Sequence, residues 1–203
     1  MASSSASSYP CLSNICLNDP ISTVADKVQW VDLAALRTQP PSNSSYTRQW
    51  IGAYVKGLST QDQEFLVPYV SSNIFDKKLL SFLNEKKPVF CRQIGFEGGY
   101  ISEGGYQTSI HISLDANSIP RITSMERTYP SQDNVQLEAI ANAIYKQFPF
   151  LADRRMIVPP WGTGYAAFHH DKLLFDQYVN NEGASDRSLS QQASCNVPKA
   201  SVD

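Results

Sequence analysis

Between Val89 and Phe148 the chain first alternates as strands do and then repeats as one helix does, and this switch restricts its possible folds more than any other feature. In Gln107–Leu114, Thr108, Ile110, Ile112 and Leu114 alternate with Ser109, His111 and Ser113. A period of two sends successive side chains to opposite faces, which predicts a half-buried strand. The joining segment 115–120 is rich in turn formers. Arg121–Tyr129 reads as the next strand, with Ile122 and Met125 apolar and a poorer alternation. Val89–Phe96 is a third candidate, and Gly98, Gly99, Gly104 and Gly105 mark turns or bulges on the way.

The helix follows directly. Asp133 is placed to cap it, and Gln136 three residues on completes a capping box. Leu137, Ile140, Ala141, Ile144 and Phe148 then share one face at helical spacing, and Pro149 stops the run. A sheet with one apolar face and a helix with one apolar stripe bury each other, so Leu137, Ile140, Ile144 and Phe148 are expected to cover Ile110 and Ile112. The predicted class is α+β: a mainly antiparallel sheet with helices packed on one face, plus a helical insertion.

Upstream, a short strand is expected near Asn14–Leu17. Asp19 and Pro20 look like a cap and first helical residue, and Ile21, Val24, Ala25, Val28 and Val31 predict a helix over about Pro20–Leu33. Residues 39–45 read as a loop. Thr47–Lys87 reads as the helical insertion. Trp50, Ile51, Tyr54 and Val55 form one apolar face there, Ser59 with Asp62 starts a second helix that Pro68 ends or kinks, and Asn73 with Asp76 caps a third. Downstream, 158–164 reads as a loop. Tyr165–Phe168 and Lys172–Tyr178 then form a hairpin turning at His169, His170 and Asp171. The expected organisation is a disordered segment 1–10, a single α+β domain 11–179 and a polar tail 180–203.

Composition narrows the function. With 203 residues, 42% hydrophobic and 18% charged, the chain has the make-up of a globular domain. A net charge of −2 gives no basic surface to hold nucleic acid non-specifically. No apolar run is long enough to span a membrane. The first ten residues lack the basic and apolar parts of a signal peptide, which fits either a cytoplasmic protein or a mature exported chain with Met1 in place of its signal.

The four cysteines are Cys11, Cys16, Cys91 and Cys195. Their spacing lacks the partners of a zinc site. In an exported protein the expected bridges are Cys11 to Cys16 and Cys91 to Cys195; in a cytoplasmic one all four stay reduced.

The segment from Asn14 to Val28, NICLNDPISTVADKV, is similar to the opening of small exported bacterial α+β modules. Arg121–Pro130, RITSMERTYP, with its following helix and hairpin, resembles their second half. The families concerned are the SmpA/OmlA-type outer-membrane lipoproteins and the β-lactamase-inhibitor-protein-like fold. The resemblance covers about 15–31 and 89–179, leaves the helical insertion unmatched and shows no lipobox. It implies protein–protein binding and no catalytic residues.

His169, His170 and Asp171 form a tempting cluster, but neighbouring histidines in a strand point apart, and the plainer reading is a polar turn. A metal site there would need Asp153, Asp176 or His111 as well. Cys91 with His111 would suit a thiol nucleophile, yet Val89, Phe90 and Ile94 place Cys91 in a strand interior. The glycines precede strands rather than a helix, unlike a phosphate loop. Tyr129 and four further aromatics beside turns, Tyr100, Tyr106, Trp161 and Tyr165, are the remaining signal, since aromatics are enriched at binding hot spots. The sequence thus predicts a non-enzymatic, extracytoplasmic protein (periplasmic or secreted) that binds a protein partner through Tyr100, Tyr106, Trp161 and Tyr165. It assigns no cofactor, metal or catalytic residue. The alternative is a small hydrolase or transferase using His169, His170 and Asp171, or Cys91.

Overall fold

The computed structural model describes residues 9–12, 14–33, 44–115, 117–130, 133–152, 159, 164–169, 171–177 and 195. The class is α+β, and the sheets are mainly antiparallel. Two compact units account for these residues. One lies within Met1–Gln29, Gly99–Ile112 and Arg121–Val179; the other lies within Trp30–Gly98, Ser113–Pro120 and Asn180–Asp203.

The first unit begins with a small hairpin, β1 (Cys11–Leu12) against β2 (Ile15–Cys16). Cys11 lies directly opposite Cys16 and is bridged to it, with Cα atoms 4.0 Å apart. Leu12 and Ile15 are buried beside the bridge. The helix expected over Pro20–Leu33 does not form. The chain makes a single 3₁₀ turn at Ile21–Thr23 and a short strand, β3 (Val28–Gln29), instead. Ile21, Val24 and Val28 are all buried. Three apolar anchors and a backbone bridge from Pro20 to Arg121 satisfy the segment without a helix, and β-branched Val28 favours the extended backbone of β3.

The main sheet has the order β3-β6-β7-β8-β10-β9, with β6 Gly95–Glu103, β7 Tyr106–Leu114, β8 Pro120–Thr128, β9 Tyr165–His169 and β10 Lys172–Asp176. The run expected over Val89–Phe96 is broken: β5 (Val89–Phe90) ends before Cys91, and β6 starts at Gly95. Gly104 and Gly105 join β6 to β7 with φ of +60° and +83°. Two consecutive positive φ values make the mirror-image turn that matches strand twist, and glycine adopts both without steric cost.

Helix α4 (Asn134–Gln147) is capped as its sequence predicts, with Asp133 Oδ1 accepting from the Gln136 amide at 2.7 Å. Its stripe is buried at one end only. Ile144 and Phe148 are buried, whereas Leu137 and Ile140 are half-buried and Val135 is 77% exposed. Phe148 packs edge-on to Phe175 of β10 at 4.9 Å, with Phe150 of the following 3₁₀ turn nearby at 6.1 Å.

The described residues of the second unit include the helices α1 (Ser44–Tyr54), α2 (Thr60–Ser72) and α3 (Lys77–Lys86). Ser59 caps α2 by accepting from Asp62, and Asp76 caps α3 by accepting from Leu79 at 2.8 Å. Pro68 does not end α2, which continues to Ser72. Asn73 closes α2 in the left-handed conformation rather than opening α3. Residues 55–56 form a two-residue strand, β4, paired with β5. Beyond β5, Cys91 donates its amide to the Tyr54 carbonyl at 2.7 Å and is bridged to Cys195 across a separation of 104 residues.

Loop closure predicts unequal bridges. The entropy removed from the unfolded chain is worth about 2 kcal/mol for a five-residue loop and about 4.7 kcal/mol for one near a hundred residues. Urea unfolding of Cys91→Ser/Cys195→Ser should therefore show a larger loss than Cys11→Ser/Cys16→Ser. Equal losses, or the reverse order, would contradict the second bridge as a long-range tie.

Candidate functional site

The register of β10 decides which side chains meet. Leu173 and Phe175 stand opposite Arg127 and Met125 on β8, and opposite Phe168 and Ala166 on β9. Opposed residues share a face, so these six lie together on the face that receives Phe148. Arg127 Nε donates to Thr108 Oγ1 at 2.9 Å, which brings β7 to the same side.

At one end of that face an aromatic chain forms. Tyr106 lies 4.9 Å from Tyr129, Tyr129 lies 6.2 Å from Phe168, and Phe168 lies 6.3 Å from Tyr145 of α4. The last two contacts are edge-on, the geometry that sets a positive ring edge on a negative face. Arg127 sits beneath, only 7% exposed, its guanidinium 5.8 Å from the Tyr106 ring centre. Burial pushes the Tyr129 hydroxyl above its ordinary pKa, and the charge and hydrogen bond of Arg127 oppose that shift. Tyr129 is nearly buried, while Tyr106, Tyr145 and Phe168 are half-buried. The result is a row of aromatic edges held over a fixed, hydrogen-bonded cation.

The four aromatics singled out in the sequence do not form one patch. Tyr106 belongs to this row. Tyr165 stands opposite Asp176, one position out of phase with Phe175, and so lies on the other face, 45% exposed. Tyr100 is half-buried opposite Gln29. Trp161 lies outside the described residues. Tyr145, Phe168 and Arg127 were missed. Tyr145 could have been found four residues after Ala141 on the helical stripe, and Phe168 from its place in the hairpin. Arg127 shows no sequence signal, because a buried arginine looks like any strand arginine.

The residues of the enzyme alternative also separate. Cys91 is in a disulfide, so its sulfur is no thiolate nucleophile. His169 is exposed at the end of β9, Asp171 is half-buried in the turn, and His170 lies outside the described residues. Asp153 does too. On the Tyr165 face, burial raises the pKa of Asp176, and the charge of His111 opposes the rise. Among the described residues no group of three potential ligands could hold a metal ion, and no helix is long and apolar enough to cross a membrane. The second unit contains a cleft of about 270 Å³ beside Trp30, Leu33, Tyr69, Asp76, Lys77 and Lys78. The Tyr69 hydroxyl donates to Asp76 Oδ2 there, at 3.4 Å. Its charges are of both signs and define no ligand class.

No protein-family model matches this chain, and neither a curated protein nor a solved structure matches it.

Two outcomes follow. Thr108→Val keeps the shape and removes the acceptor facing Arg127, so it should cost about 1–3 kcal/mol in urea unfolding; an unchanged midpoint would show that the arginine does not depend on it. Asp176 holds its proton more tightly folded than unfolded. Its contribution therefore falls as pH rises from the ordinary carboxylate range through the raised value. Asp176→Asn should melt higher than wild type at pH 7, with the difference vanishing under acid conditions; a difference independent of pH would exclude the buried carboxyl as its cause.

Proposed function

We propose that this chain is a non-enzymatic, exported protein that binds a protein partner, with the Tyr106–Tyr129–Phe168–Tyr145 row as its contact surface. One observation carries the reading: Tyr106, Phe168 and Tyr145 are half-covered beside a buried, hydrogen-bonded arginine. Tyrosine and arginine are the residues that dominate protein–protein hot spots, and they do so where a rigid base spares the ordering cost of binding. Leu137 and Ile140, half-buried on the apolar stripe of the helix that carries Tyr145, add further apolar surface.

Two disulfides support an extracytoplasmic setting, since bridges persist where the environment is oxidising. The resemblance of 15–31 and 89–179 to exported binding modules agrees with it. An inhibitor, an immunity factor or an assembly accessory would each use such a surface.

The test is paired affinity capture with natively produced full-length chain, wild type against Tyr145→Ser. The variant removes one ring from the row at a half-buried site, and circular dichroism establishes that it folds. The expected result is a partner retained by wild type and lost by the variant. Equal retention by both, or no partner for either, would defeat this surface as the binding site.

A further inference from the structure

β9 is the last strand of the main sheet, and among the described residues no strand lies beyond it. Which of its backbone groups face outward follows from two hydrogen bonds. The Tyr129 amide donates to the Asp171 carbonyl at 2.7 Å, and the Gln177 amide donates to the Thr123 carbonyl at 2.8 Å. The odd-numbered residues of the β10 segment therefore bond toward β8. In an antiparallel ladder the bonding direction alternates, so Lys172, Leu174 and Asp176 bond toward β9. Their partners are His169, Ala167 and Tyr165. The N–H and C=O groups of Ala166 and Phe168 then point away from the sheet.

Natural proteins blunt such edges with lysine, proline, a bulge or a very short strand. The opposite edge, β3, is two residues long. β9 has five residues, Tyr165, Ala166, Ala167, Phe168 and His169, with no proline, lysine or carboxylate among them. An unguarded edge of alternating donors and acceptors accepts another extended strand.

We propose that the strand it accepts is β9 of a second copy of this chain, paired antiparallel about a two-fold axis at Ala167. Self-complementarity favours a second copy over a foreign segment. In that register Ala166 faces the second copy's Phe168, and the reverse, so every outward N–H and C=O of the two residues is bonded. Ala167 meets its own equivalent at a non-hydrogen-bonded position, where Cα atoms approach to about 4.5 Å and a small side chain fits. Each Phe168 ring lies across from a methyl group rather than another ring. On the other face each Tyr165 meets the second copy's His169. Continuing along that row, Asp176 flanks Tyr165 on one side and the second copy's Lys172 flanks the histidine on the other, so the charges at the row ends are opposite. The interface is isologous and closes as a dimer.

The experiment uses the full chain with its disulfides intact. Sedimentation velocity over a dilution series should show a reversible dimer. Ala166→Pro removes a donor on the free side only, where an edge strand tolerates proline, and should weaken association roughly tenfold to a hundredfold at an unchanged melting temperature. Ala167→Cys, left to oxidise, should give a disulfide-linked dimer on a non-reducing gel, because only this residue meets itself across the axis. Ala166→Cys, which faces Phe168, should not. Wild type that stays monomeric to roughly 1 mM, or cross-linking that fails at position 167 or is equal at position 166, would overturn the proposal.

Discussion

The antiparallel pairing of β10 between β8 and β9 is the interaction on which the first unit depends. It sets Leu173 and Phe175, both fully buried, against Arg127 and Met125 on one side and Phe168 and Ala166 on the other. A slip of one residue would send both apolar side chains to the opposite face and bring Leu174 and Asp176 inward. The cost of placing an ionisable Asp176 under α4, together with the loss of the Phe148–Phe175 contact, holds the register. The aromatic row, the arginine beneath it and the outward amides of β9 are all consequences of that one alignment.

The buried cation of this face is paired. Arg127 is buried, yet it reaches Thr108, and its guanidinium lies beside Tyr106. Replacing such a group by an apolar one is often tolerated, whereas removing one of its partners weakens the compensation of a buried charge. Elsewhere the ion pairs are superficial. Lys172 with Glu126 at 2.8 Å, and Arg48 with Glu64 at 2.8 Å, are substantially exposed and contribute little. Burial and the long-range bridge to Cys195, rather than surface charge, carry stability.

Much of this was legible in the sequence where a repeat was strict. The alternation of Thr108, Ile110 and Ile112 gave β7, and the spacing of Asp133 and Gln136 gave the start of α4, because each reflects a local geometric rule. The α+β class was legible for the same reason, since sheet and helix periods differ; the bridges were expected only for an exported chain, as one of three connectivities. What failed was arbitration between local preference and distant partners. Val24 and Val28 have helical spacing, but Val28 pairs with Ile101 of β6 and Pro20 bridges to Arg121, and nothing nearby in the sequence announces either partner. Pro68 is expected to end or kink its helix because it removes a donor, and α2 runs through it. The site was legible only in part. Tyr106 was found beside a turn, whereas Tyr145 and Phe168 join it only through the register of β10, which no local pattern encodes.

Residue-resolved amide exchange over residues 165–169, taken at low and at high protein concentration, tests that register most directly. The account predicts slow exchange at Ala167 and His169 under both conditions, and fast exchange at Ala166 and Phe168 in dilute protein that slows as concentration rises. Uniform protection along the strand in dilute protein, or protection at Ala166 and Phe168 with exchange at Ala167, would contradict it.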